Sequence, residues 1–214
     1  MDSQIVLFLT GKGVDYRLRK LIQLRGLADT KLEKSFDVIQ WMFPTDIPSE
    51  YSSFAPVLNN RDIKRIIEDN GIQWNLAMSL ERMIKFYEKD EFWIYKNSHH
   101  FRRFTRILRC LWLADRKHDY VCLSKVLDEL YKIYNHIIGD ETYKLWKNAN
   151  NYDYLINYTP SLLSSTDDNK EESVVKEESV IYDVKSFRTT ETEENKNFSA
   201  VGVSGGNYVE YMGE

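Results

Sequence analysis

The stretch IQWNLAMSLERMIKFYEK, residues 72–89, decides the fold class. Leu76, Leu80, Met83, Ile84 and Tyr87 recur at three- and four-residue steps, the spacing that gathers side chains on one face of an α-helix. Glu81 and Lys85 are four apart on the other face, acid before base, the order in which such a pair supports a helix. The spacing predicts a helix over 72–89.

The same period continues downstream. From His99 to Leu113, the residues Phe101, Phe104, Leu108 and Leu111 line one side, and Arg102, Arg106 and Arg109 fall on the opposite side. Asp119 is placed to cap a third helix with the stripe Leu123, Leu127, Leu130, Tyr134 and Ile137, which Gly139 closes. A short helix follows from Asp140 to about Lys147. Between these runs, Phe92-Trp93-Ile94-Tyr95 reads as a strand or a buried loop.

Upstream, a helix opens at Asn59 or Asn60 and stops at Asn70-Gly71. Before it, three of the four prolines lie between Pro44 and Leu58, which predicts an ordered loop anchored by Tyr51 and Phe54. Thr30 and Glu33 have capping-box spacing at the start of a helix carrying Leu32, Phe36, Ile39 and Phe43, and Pro44 ends it. A shorter helix is expected from Asp15 to Gly26, with Leu18, Leu21, Ile22 and Arg25 marking two faces. A short extended segment is expected at the N-terminus. The architecture predicted is a single all-α bundle of about five or six helices.

Composition agrees. With 43% hydrophobic and 14% aromatic residues, the chain can build a sizeable core, and 9 Gly with 4 Pro suit helices better than a turn-rich sandwich. The charge is uneven. Residues 1–159 hold 24 Lys+Arg against 21 Asp+Glu, whereas residues 160–214 hold 5 against 12 and contain Glu-Glu-Ser-Val twice. The expected division is a helical domain over 1–159 and an acidic, Ser/Glu-rich disordered tail over 160–214. A nearly neutral body gives no global argument for nucleic acid. The apolar run Ile5–Leu9 is far shorter than the ~20 residues a membrane span needs, and a secretory signal's basic start and small-residue cleavage site are lacking. A cytoplasmic or nucleocytoplasmic protein is expected, with Cys110 and Cys122 as buried thiols rather than a disulfide framework.

Phe36-Asp37-Val38-Ile39-Gln40-Trp41-Met42-Phe43-Pro44 resembles the hallmark of the opioid growth factor receptor family, usually written HDYIQWLFP. Phe54-Ala55-Pro56-Val57-Leu58 is similar to the family's AP-x-L segment, and Ser98 to Leu108 is similar to its NHNYLRITRIL. Leu80 to Tyr87 sits where the family has a helix ending in a Phe-Tyr pair. The match covers roughly residues 1–135. Phe36 and Val38 stand where the hallmark has His and Tyr, and Ser98, His100 and Arg102 replace Asn, Asn and Leu. Named members are associated with binding an enkephalin peptide and with growth control. The resemblance implies the helical fold and a binding role for this chain, without fixing the ligand.

The residues themselves offer two places for chemistry. His99, Arg102, Arg103, Arg106 and Arg109 form a basic patch whose guanidinium forks suit carboxylate or phosphate; its bland reading is a solvated face or pairing with acids of neighbouring helices. Gln40 and Trp41 sit beside the helix end at Pro44, either as a binding feature or as a structural corner. Cys110, His118 and Cys122 raise the question of zinc, but no fourth ligand stands at a convincing spacing, so neither a metal nor a cofactor is expected. Gly11-Lys12-Gly13 lacks phosphate-loop spacing and reads as a turn. No nucleophile motif or acid–base pair is marked. The function expected is a non-catalytic protein- or peptide-interaction module with an unidentified partner. A nucleic-acid-associated protein using the Arg102–Arg109 face is the alternative.

Overall fold

The computed structural model describes residues 2–49, 52–89 and 92–163, with side chains up to Tyr158. Tyr51 and the acidic tail lie outside these described residues. In chain order the helices are α1 (Gln4–Leu9), α2 (Leu21–Arg25), α3 (Asp29–Lys34), α4 (Phe36–Met42), α5 (Asn60–Glu68), α6 (Asn70–Tyr87), α7 (His99–Leu113), α8 (Lys117–Ile138), α9 (Asp140–Lys147) and α10 (Tyr152–Leu163). The fold is all-α, and among the described residues only an isolated bridge between Thr45 and Val57 departs from it. No helix among them is long and apolar enough to cross a membrane.

The ten helices outnumber the expected five or six because the N-terminal third is finely divided. The N-terminal segment is helical, not extended: Ser3 caps α1, and Ile5, Val6, Phe8 and Leu9 are buried. The turn after it runs through Gly11 at φ +79°, and a Cβ on Gly13 would stand 2.9 Å from the backbone of Leu7. That close approach accounts for the second glycine of Gly11-Lys12-Gly13. Residues 15–20 do not join the next helix. The buried Asp15 carboxylate accepts from the Arg17 and Arg19 backbone N–H groups at 2.9 and 2.8 Å, and this local competitor leaves only Leu21–Arg25 helical. Leu18, at φ 61°, is 80% exposed, so it is not a core position.

The helix expected from Thr30 to Phe43 is two helices, broken at Ser35 (φ −102°, ψ 99°). The Thr30–Glu33 capping box does not form: Ala28 is the N-cap of α3, and the Glu33 side chain reaches His100 instead. The break turns Phe36 outward, while Leu32, Ile39 and Phe43 stay buried. Asn59 caps α5 in a reciprocal box with Asp62. Asp69 caps α6, which starts two residues before the expected point and buries Ile72, Leu76, Leu80, Met83 and Phe86. Glu81 and Lys85 pair on its outer face.

Phe92–Tyr95 is a turn that buries Trp93, whose indole N–H donates to the Tyr87 carbonyl at 3.2 Å. Helix α8 starts at Lys117, with Asp119 in its first turn held by Arg116 at 2.7 Å, and Gly139 closes it at φ 76°. Helix α10, unanticipated, carries through Pro160 to Leu163. The core wraps α7, which packs on α8, α9 and α4.

Candidate functional site

Because α7 is covered on more than one side, its polar face is not a solvent face. Arg103 and Arg109 are buried, Arg106 is part-buried, and Arg102 alone is exposed. The outward trio expected from the spacing is therefore corrected. Arg109 sits in the interior, and what lies opposite the apolar stripe is the N-terminal half of the domain.

Two of the inward arginines close helix ends, and the third ties a loop to a helix junction. Arg103 Nη2 donates to the Leu32 and Glu33 carbonyls at 3.2 and 2.7 Å, at the end of α3. Arg106 Nε donates to the Phe43 carbonyl at 2.9 Å, and its Nη2 lies 3.5 Å from the Gln40 carbonyl, at the end of α4. A helix leaves its last carbonyls unpaired and partly negative, so a guanidinium there satisfies both the bond and the dipole. Arg109 grips both Asp46 oxygens at 2.9 and 2.6 Å and donates to the Asn150 carbonyl at 2.8 Å, tying the 44–58 loop to the α9–α10 junction.

The Phe36–Pro44 stretch is likewise built into the frame. Asp37 receives Arg19 at 2.6 Å and the Tyr16 hydroxyl at 3.0 Å. Trp41 is buried edge-on against Phe8, 5.1 Å between centroids, its indole N–H without a hydrogen-bond partner. Gln40 donates through its amide to Ser49, while its side-chain oxygen is buried and unpartnered. Phe54, though largely exposed, stacks on Tyr16 at 5.0 Å.

Between α4, residues 45–49, α7, α9 and α10 opens a cavity of about 580 Å³. Gln40, His99, Arg102, Arg103, Arg106 and Arg109 all line it. Of the residues singled out from the sequence, only Trp41 lies elsewhere. Phe36, Ile39, Ile47, Pro48, Leu145 and Leu155 supply apolar wall. The charges do not balance. Asp46 answers Arg109, and Glu141 is held by Lys144 at 3.0 Å, but among the described residues no carboxylate pairs with Arg106. Burial pulls the Arg106 guanidinium down to about 10, the response of a cation that lacks a counter-charge.

Beside this cavity lies a cluster that the sequence reading did not assemble. The first turn of α7 brings His99 Nε2 to 3.6 Å and His100 Nε2 to 2.9 Å from the Glu33 carboxylate of α3. The other ring nitrogens meet tyrosines: His100 Nδ1 is 3.2 Å from the Tyr87 hydroxyl, and His99 Nδ1 is 3.2 Å from that of Tyr95. Burial, then the nearby Arg103 charge, drives the His100 imidazole down to about 2 and lowers His99 as well, while burial raises Glu33. Both imidazoles are neutral at neutral pH. The paired histidines were the only signal in the sequence, because Glu33 is brought to them by tertiary packing.

The cysteines do not converge on a common centre with these residues. Cys110 is buried as expected, its thiol pushed up to about 12 by that burial, but Cys122 is not: it lies on the outer side of α8, exposed, with His118 at 3.7 Å. No family model, curated protein or solved structure matches the chain.

Proposed function

We propose that the chain is a non-catalytic interaction module of the opioid growth factor receptor-like type, whose α7 cavity takes an acidic, partly apolar segment of a protein or peptide. The observation that carries this reading is Arg106: a guanidinium that, among the described residues, has no carboxylate partner, on the wall of a cavity that mixes cationic and polar groups with the apolar side chains Phe36, Ile39, Ile47 and Leu145. A carboxylate is its chemical complement, because a planar fork and two oxygens match in charge and geometry. Arg102 at the rim adds a second cation, and Phe36, Ile47 and Leu145 offer contact to a neighbouring aliphatic or aromatic group.

An extended phosphate-binding face is the weaker reading. Duplex binding draws on several outward cations, and three of the four arginines here are turned inward. Fluorescence polarisation with a panel of acidic-aliphatic peptides and their Gln analogues tests the proposal. Acidic peptides should bind, Gln analogues should bind at least tenfold more weakly, and Arg106→Gln and Arg102→Gln should each lower the affinity. Tight binding of any duplex DNA with a steep salt dependence, or peptide binding indifferent to both substitutions, would overturn it.

A further inference from the structure

We propose that Glu33, His99 and His100 form a binding site for a single divalent transition-metal ion of the zinc class. Three ligand-bearing side chains converge: one oxygen or nitrogen from each can be chosen so that all lie within 4.8 Å of one another. Zinc holds such ligands at about 2.0–2.2 Å in a tetrahedron, which sets them roughly 3.3 Å apart. The Nε2 atoms of His100 and His99 stand 2.9 and 3.6 Å from the same Glu33 oxygen, Oε1, and these separations straddle that value.

The second observation is a set of unanswered polar atoms at the same spot. His99 Nε2 and Arg103 Nη1 are buried without a hydrogen-bond partner, and Glu33 Oε2 beside them meets only His100 Nε2, at 2.9 Å. Buried polar atoms are rarely left so, and two at one spot, an imidazole nitrogen and a guanidinium nitrogen, point to an occupant between them. The tyrosines define which one. A bound ion would displace the proton that the 2.9 Å His100 Nε2–Glu33 hydrogen bond holds. Each Nδ1–H then donates to the hydroxyl of Tyr87 or Tyr95 while both Nε2 lone pairs face the ion, the outer-shell arrangement that orients metal-binding histidines. Charge sets the remaining requirement. Burial and Arg103 oppose a bare cation as they oppose a proton, and Glu33 supplies one negative charge against them. An anionic fourth ligand supplies another, and Arg103 Nη1 is available to donate to it. His99 lines the cavity, so the fourth position is reached from there.

The site is tested on the full chain after chelator treatment, by calorimetric titration with zinc chloride and by cobalt(II) absorption. One equivalent should bind with a four-coordinate cobalt spectrum. Glu33→Gln and His99→Gln should each weaken zinc by more than the roughly 10–100-fold that loss of an outer-shell partner costs. Circular dichroism identifies any variant that fails to fold, and His99, partly exposed, keeps the test open if Glu33→Gln does. Cys122→Ser should leave binding unchanged. Absence of zinc binding by the wild type, leaving a buried water as the occupant, overturns the proposal. So does binding that survives Glu33→Gln and His99→Gln, or binding abolished by Cys122→Ser, which would move the metal to the His118–Cys122 surface pair.

Discussion

Replacing Arg109 with Met should be among the most damaging single changes in the domain, although its sequence position looks like a helix surface. The Arg109 and Asp46 side chains are 6% and 17% exposed, and both guanidinium–carboxylate contacts are short, 2.9 and 2.6 Å. Met preserves most of the stem's packing but leaves the Asp46 charge without its cation and the Asn150 carbonyl without its donor. Breaking a buried pair from one side costs about 3–5 kcal/mol. Partial water access to Asp46 places this case near the lower end, about 3 kcal/mol. At about 2–4 °C per kcal/mol for a domain of this size, the melting temperature should fall by about 6–12 °C. Urea titration followed by far-UV circular dichroism measures the loss. Arg109→Met/Asp46→Leu should recover much of it, since an apolar pair leaves no stranded charge. A single variant within about 0.5 kcal/mol of wild type, the behaviour of a surface position, would refute the assignment of Arg109 to the interior.

Trp41→Ala should cost about 3–5 kcal/mol in the same assay, because the ring is buried against Phe8 in the core. Arg102→Gln, at the exposed arginine of α7, should change stability by no more than about 0.5 kcal/mol while weakening acidic-peptide binding. Acid should destabilise the fold through His100. Its folded pKa of about 2 lies below the unfolded value near 6.5, so below that value the unfolded chain takes up a proton that the folded chain refuses. Stability is then lost by up to about 1.4 kcal/mol per pH unit as pH falls from about 6 to 5, before the raised Glu33 carboxyl, which takes up its proton more readily in the fold, opposes the trend. Urea midpoints at pH 7, 6 and 5 for wild type and His100→Gln should show the slope flatten in the variant.

Legibility in the sequence follows the regularity of the apolar period more than the length of the element, since the twelve-residue α10 was not anticipated while the eight-residue α9 was. Helix α7 begins and ends where the apolar period predicted, at His99 and Leu113, and α9 keeps its predicted span, because propagating helices announce themselves over several turns. The short helices of the first forty residues depended on local competitors, Asp15 seizing its own backbone and Ser35 interrupting α3–α4, that leave little trace in a period. The cavity lining was mostly visible as residue types, yet the direction of the arginines was not. Spacing separates the two sides of α7 but cannot say that the second side faces other helix ends. Glu33 was misassigned to a cap for the same reason: its partners are 66 and 67 positions away.

The arginines that close α3 and α4 come from a helix made more than sixty residues later in the chain. Helices of six and seven residues do not persist alone in water, since so few turns cannot offset the nucleation cost. During synthesis, which runs at about 5–20 residues per second, the hallmark-like stretch must therefore wait several seconds, its Trp41 and Phe43 exposed, until residues 103–109 clear the ribosome. That interval is one in which exposed apolar groups of the emerging N-terminal half are open to aggregation. A break in the chain anywhere between Pro44 and Ser98 would strand both halves unfinished.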